Sequence, residues 1–116
     1  MSIRRIGPGP RMSQAVVHGG LVYLAGQVAD DPSADVAGQT RQIVDKIDAL
    51  LAQAGSSKAR ILTTTVWLAD VATFAEMNSV WDVWVDKANP PARATVEARL
   101  AAPQYKVEIA AIAAAD

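Results

Sequence analysis

The stretch Asn89-Pro90-Pro91-Ala92-Arg93-Ala94-Thr95-Val96-Glu97-Ala98-Arg99-Leu100, followed by Lys106-Val107-Glu108-Ile109-Ala110-Ala111-Ile112-Ala113, decides how the chain is read. The paired prolines stop any helix that precedes them, because the residue before a proline is pushed out of the helical region. Beyond them side chains alternate with the period of a strand: Ala92, Ala94, Val96 and Ala98 share one face, and Arg93, Thr95, Glu97 and Arg99 the other. A second strand is expected after the short Ala101-Ala102-Pro103-Gln104 connection, which reads as a hairpin of unfixed register. An arginine at the mouth of such a strand, behind a stiff Pro-Pro, suits a planar anion, since its fork matches a carboxylate in a bidentate way that lysine cannot copy.

Working backwards from that stretch, Thr73-Phe74-Ala75-Glu76 has the form of a capping box and predicts a helix running to about Lys87, with Phe74, Met77, Val80, Trp81, Trp84 and Val85 as its apolar face. Arg60 to Leu68 is rich in β-branched and aromatic residues and reads as a strand. Val36 to Ala54 repeats apolar residues at helical spacing, with Asp35 as N-cap and Gly55 just past the C-terminus. Three further strands are expected before it. These are an edge strand at Ile3–Ile6 closed by Gly-Pro-Gly-Pro, then Ser13–His18 and Leu21–Ala25, the last two joined at a Gly19-Gly20 turn. The order β-β-β-α-β-α-β-β predicts an α+β fold with two helices on one face of a mixed sheet. The other sheet face then lacks cover, which a closed symmetric oligomer supplies.

The totals bound the function. The chain has 116 residues, the size of one domain, spanning 1–116. Its formal net charge of -1 argues against a general nucleic-acid binder. It has no cysteine and one histidine, His18, which argues against a disulfide framework, a thiol nucleophile, a Cys- or His-based metal site and a His-assisted triad. No apolar run of signal-peptide or membrane-span length occurs, so a cytosolic protein is expected. Hydrophobic residues make up 51% of the chain, more than a domain this small needs inside itself, which again points to burial between subunits.

From the residues alone, Arg93 reads as a surface ion-pair partner, and Glu108 as a solvent-facing strand residue. His18 reads as an exposed turn residue, and Trp67, Trp81 and Trp84 as core or subunit contacts. Asn78 stands out, because an amide within an apolar helix stripe must find partners.

The chain resembles the RidA/YjgF family of reactive-intermediate imine deaminases over nearly its whole length. The resemblance rests on Ser13-Gln14-Ala15-Val16, Ala25-Gly26-Gln27, Gln39-Thr40-Arg41-Gln42, Ala54-Gly55-Ser56-Ser57, Thr63 through Asp70, Phe74-Ala75-Glu76-Met77-Asn78 and Pro91-Ala92-Arg93, together with the opening stretch. It implies a chorismate-mutase-like fold, a homotrimer with a central barrel and sites between subunits. It also implies hydrolysis of enamines and imines such as 2-aminoacrylate to 2-keto acids and ammonia, without cofactor. By position, Arg93 would clamp the substrate carboxylate, Glu108 would position the attacking water, and Asn78 and Gly26 would line the cleft. Four positions depart from the family pattern. Met12 replaces a tyrosine, Ala25 a serine, Thr95 a cysteine and Ala110 a glutamate. They imply a more apolar pocket around a retained anion clamp. The same residues leave two other readings open: a non-catalytic trimeric binder of small 2-keto or related carboxylates, and an endoribonuclease, against which the charge balance weighs.

Overall fold

A computed structural model describes residues 2–115. Six strands and two helices follow in the expected order: β1 (Arg4–Ile6), β2 (Ala15–His18), β3 (Leu21–Gln27), α1 (Val36–Gln53), β4 (Ile61–Leu68), α2 (Phe74–Trp84), β5 (Ala92–Glu97) and β6 (Val107–Ala114). They form one six-stranded sheet in the order β1-β2-β3-β6-β4-β5. Every pairing is antiparallel except β4 with β5, which is parallel. A parallel pair needs a crossover, and α2 supplies it.

The expected hairpin between the last two strands does not form. β4 lies between β5 and β6, and it pairs with both. The reason is the parallel crossover: β5 leaves the sheet at the end where β4 leaves, so the chain must travel past β4 before it can return antiparallel to it. Both ends of this connection are tied to the end of β4, through Ala98 N–H to Leu68 O at 2.9 Å and Ala69 N–H to Lys106 O at 3.0 Å.

Both helices cover one sheet face and share one core, in which Val22, Leu24, Val66, Leu68, Ile109 and Ala111 meet Ile43, Ile47, Leu51, Met77, Trp81 and Trp84. Asp35 caps α1, accepting the Gly38 N–H at 2.8 Å. Gly55 closes it at φ +78°, a conformation that costs glycine nothing. The capping box expected at α2 is absent. Thr73 makes no cap bond; its hydroxyl donates to Asp70 O at 2.6 Å. Glu76 reaches across to accept the Ala37 N–H at the start of α1, at 3.0 Å. That orphan donor, with the positive end of α1, competes successfully for the carboxylate. α2 also stops at Trp84, short of Lys87, because Asp86 forms a turn by accepting the Ala88 N–H at 3.0 Å. β1 starts one residue later than expected, with Ile3 exposed, and β3 continues to Gln27.

Gln39, wholly buried in α1, ties two loops together. Its Nε2 lies 3.0–3.1 Å from the carbonyls of Pro32, Ala34 and Gln104, and its Oε1 accepts the Lys106 N–H at 3.0 Å. It thereby fixes the β5–β6 connection against the helix layer. Among the described residues no element covers the opposite sheet face. Ala92, Ala94 and Val96 are exposed along edge strand β5, and Tyr23, Thr65, Ala110 and Ile112 border a shallow depression of about 250 Å³ beside it.

Candidate functional site

Strand parity distributes the expected site residues over two places. Arg93 stands opposite Thr64 on β4, and Thr64 stands opposite Ala111 on β6. Thr64 and Ala111 are buried beneath the helices, so Arg93 points to the helix side. Glu108 stands opposite Trp67. Trp67 is an odd number of residues from Thr64 on the same strand and therefore faces the open side. Within one chain, Arg93 and Glu108 lie on opposite faces of the sheet and do not meet.

On the helix side, α2 builds a seat for Arg93. Phe74, Asn78 and Trp81 recur at the spacing of one helix face. The guanidinium carbon lies 5.6 Å from the Phe74 ring centre and 5.0 Å from that of Trp81, within cation–π range. Arg93 Nη1 donates to Asn78 Oδ1 at 2.8 Å. One donor of the fork fixes the side chain, and the others have no protein acceptor among the described residues. Burial pulls the guanidinium below the ordinary arginine value, and the Asp82 carboxylate opposes that shift. Two residues on, Thr95 Oγ1 is buried without a hydrogen-bond partner among the described residues. The arrangement is a positioned cation with free donors beside an unsatisfied hydroxyl.

On the open side, β3 carries a bulge. Leu24 pairs with Ala111 and Gln27 with Ile109, so Ala25 and Gly26 together stand against Ala110. The Glu108 side chain occupies the space over Gly26: a Cβ there would lie 2.9 Å from Glu108 Cδ, and closer still to Oε2. Glycine is thus required at position 26 for Glu108 to hold its place. Ala25 ties the bulge to the N-terminal segment, donating its N–H to Gln14 O at 2.9 Å, and Gln27 Nε2 donates to Gln14 Oε1 at 3.1 Å. Met12, just before that segment, is exposed, and its carbonyl accepts the Gly9 N–H at 2.8 Å.

Of the residues that the sequence assigns to one cleft, the structure brings Arg93, Asn78 and Thr95 together on one sheet face and Gly26 and Glu108 together on the other. The sequence reading missed the rings of Phe74 and Trp81 as walls for Arg93, although their spacing with Asn78 was a usable signal. Trp81, expected as a core residue, is both core and stacking surface. Trp67 at the side of Glu108 and Gln39 as the anchor of the connection were also missed. His18 is exposed, with Nδ1 3.2 Å from Ser2 O. Among the described residues no group of three or more His, Cys, Asp or Glu is placed to hold a metal ion. No helix among them is long and apolar enough to cross a membrane.

Comparison with known proteins places this geometry. Residues 2–115 match the family model described as Endoribonuclease L-PSP. A "RutC family protein" of Haemophilus influenzae is 47% identical over 114 residues, covering 97% of this chain and 98% of the relative. The "RutC family protein YoaB" of Escherichia coli is 44% identical, covering 98% and 99%. Among solved structures, a YjgF-family protein of Neisseria meningitidis superposes with a TM-score of 0.97 at 45% identity, over 100% of this chain and 97% of that one. A YjgF-family protein of Mycobacterium tuberculosis gives 0.88 at 31% identity, over 97% and 99%. Identities of 44–47% over nearly the whole chain, a matching family model and a shared α+β architecture lead to one conclusion: the chain belongs to the RidA/YjgF family and has its chorismate-mutase-like fold.

Proposed function

We propose that the chain hydrolyses 2-imino acids and their enamine tautomers to 2-keto acids and ammonia, in clefts between copies of a homotrimer. The observation that carries this reading is the seat of Arg93. A guanidinium fixed by one hydrogen bond to a neutral amide, backed by two rings, keeps donors free for a small carboxylate. Glu108 completes the site from a neighbouring copy, because the sheet separates it from Arg93 within one chain. Asn78 holds the clamp, Gly26 gives the carboxylate room, and Thr95, Ala25 and Met12 shape the walls.

The chemistry needs little else. A water oxygen adds to the carbon of the N-protonated imine as the C=N π pair moves to nitrogen, and Glu108 takes the proton that the water loses. The carbinolamine then collapses: Glu108 returns that proton to nitrogen, the C–N bond breaks as the oxygen lone pair forms the carbonyl, and the hydroxyl proton passes to the Glu108 carboxylate or to the departing ammonia. Holding water and substrate in line supplies most of the acceleration, and one proton acceptor the rest. The scheme calls for no metal or organic cofactor.

The test generates imines from several L-amino acids with an amino-acid oxidase, in the presence of semicarbazide, and follows diversion of imine to keto acid. Diversion by the wild type, lost in Arg93→Ala and Arg93→Lys, supports the clamp, since lysine keeps the charge and loses the fork. Mixing Arg93→Ala with Glu108→Gln chains tests the shared cleft. Random trimers regain about a quarter of their sites if each site takes one residue from each of two copies, and none if both come from one copy. Binding of 2-keto acids without any turnover overturns the enzyme in favour of a ligand-binding protein. The ribonuclease description of the family finds little support in a chain of net charge -1.

A further inference from the structure

Beside Glu108 on the open face is a depression of about 210 Å³, lined by Trp67, Ala98, Arg99, Leu100, Ala101 and Glu108. It holds one guanidinium and one carboxylate. The two do not neutralise each other: no ion pair within 4.0 Å joins Arg99 to Glu108 among the described residues, and neither has another charged partner there. Arg99 is exposed, at the start of the connection that Gln39 and the end of β4 hold in place. Its backbone position is therefore set, although its side chain is free.

We propose that Arg99 is a specificity-determining residue that selects imino acids carrying a second, side-chain carboxylate. The inference rests on the deaminase reading and deepens it. With Arg93 of a neighbouring copy taking the 2-carboxylate, Arg99 would take the distal one, on the far side of the Glu108 carboxylate that borders the same depression. Water occupies about 30 Å³ per molecule in the liquid, so the depression has room for a carboxylate and the carbons that carry it. Trp67 gives those carbons a flat apolar wall. A neutral side chain would leave the guanidinium fork without a bidentate acceptor. An acidic one satisfies it with the fork geometry that arginine provides. The three charged groups then alternate in sign along the substrate: cation for the 2-carboxylate, anion at the protonated imine, cation for the distal carboxylate.

The discriminating pair is the imine of glutamate against that of glutamine, which differ by a carboxylate against an amide of nearly the same shape. The expected result is a kcat/KM ratio favouring the glutamate imine by about tenfold or more, the lower end for one charge-assisted contact. Arg99→Gln brings the ratio near unity, Arg99→Lys leaves it intermediate, and Arg99→Glu inverts it. Binding of the products 2-oxoglutarate and 2-oxoglutaramate, measured by calorimetry, gives the same ratio without turnover. Failure of the deaminase reading shows as no diversion of any imine, and the product-binding ratio still decides the role of Arg99. A flat ratio in the wild type, or one that Arg99→Gln leaves unchanged, overturns the proposal.

Discussion

Gly26→Ala separates the fold from the site. Gly26 lies in extended backbone at the β3 bulge, so alanine meets no φ strain there. The obstacle is Glu108: the new Cβ would stand 2.9 Å from its Cδ and 3.1 Å from its Cγ, with Oε2 nearer still. Ordinary contact begins at 3.4 Å, so the carboxylate must withdraw by about 1 Å, a misplacement that can cost on the order of a hundredfold in rate. The fold is affected much less. Glu108 is half-buried at the rim of an open depression, and its flexible end can turn outward. An off-rotamer side chain costs about 1 kcal/mol, which lowers the melting temperature by roughly 4 °C in a domain of this size. The expected outcome is a folded protein with a melting point a few degrees low and imine-diversion activity reduced about a hundredfold. The same substitution in a Glu108→Gln background should add little, because both changes act on one carboxylate. Full activity in Gly26→Ala, or a loss that multiplies undiminished onto Glu108→Gln, would refute the assignment of that space to a working Glu108.

Three further outcomes follow from the contacts. Gln39→Ala removes the acceptor of the Lys106 N–H and the donor to Pro32, Ala34 and Gln104; it should destabilise by about 2–4 kcal/mol in urea titration, through buried groups left unpaired. Asp35→Ala removes the cap on the Gly38 N–H and should cost about 1 kcal/mol, with Asp35→Asn recovering most of it. Hydrogen bonds from the Ser33 hydroxyl and then the Ser33 N–H hold the Asp31 carboxyl below its ordinary range. A depressed carboxyl contributes stability above its unfolded value and loses it as pH falls through the folded value. Asp31→Asn should therefore lower the melting temperature at neutral pH and lose that deficit below about pH 4.

The parts of the fold that depend on neighbours in sequence were legible. Val36, Ile43, Val44, Ile47, Leu50 and Leu51 lie on one face of α1 because helical spacing puts them there. Asp35 and Gly55 cap it as their chemistry predicts. What failed depends on contacts distant in sequence. Thr73 and Glu76 have capping-box spacing, yet Glu76 belongs to the N-terminus of another helix, and no local pattern records that competitor. The hairpin reading of β5 and β6 failed for the same reason. Adjacency in sequence favoured pairing, while the α2 crossover had already put β4 between them. The bulge at Ala25 and Gly26 leaves no mark in an alternating run, although it makes room for the Glu108 carboxylate. Phe74, Asn78 and Trp81 were readable as one helix face. Their meaning came only with Arg93 beneath them.

The separation of Arg93 from Glu108 bears on function beyond geometry. A guanidinium and a carboxylate that faced one another inside a protomer would pair, and each would neutralise the other. Placing them on opposite sheet faces prevents that collapse without any further device. Arg93 is held by the Asn78 amide, which fixes direction and leaves the charge uncompensated at contact distance. Glu108 is held by shape, in the space that a glycine vacates. The cost of leaving two such groups unpaired is small while each borders solvent, since water screens them both. It rises as a second copy excludes that water, and so does the strength of every contact they make to a bound anion or iminium. Under the proposed function, assembly and substrate binding would be coupled through the same two charges, and the apolar stripe of Ala92, Ala94 and Val96 is the exposed surface that adjoins one of them. A charge introduced at Ala94 would disturb that coupling while touching neither Arg93 nor Glu108, because strand parity turns Ala94 away from the Arg93 seat and β4 stands between it and Glu108.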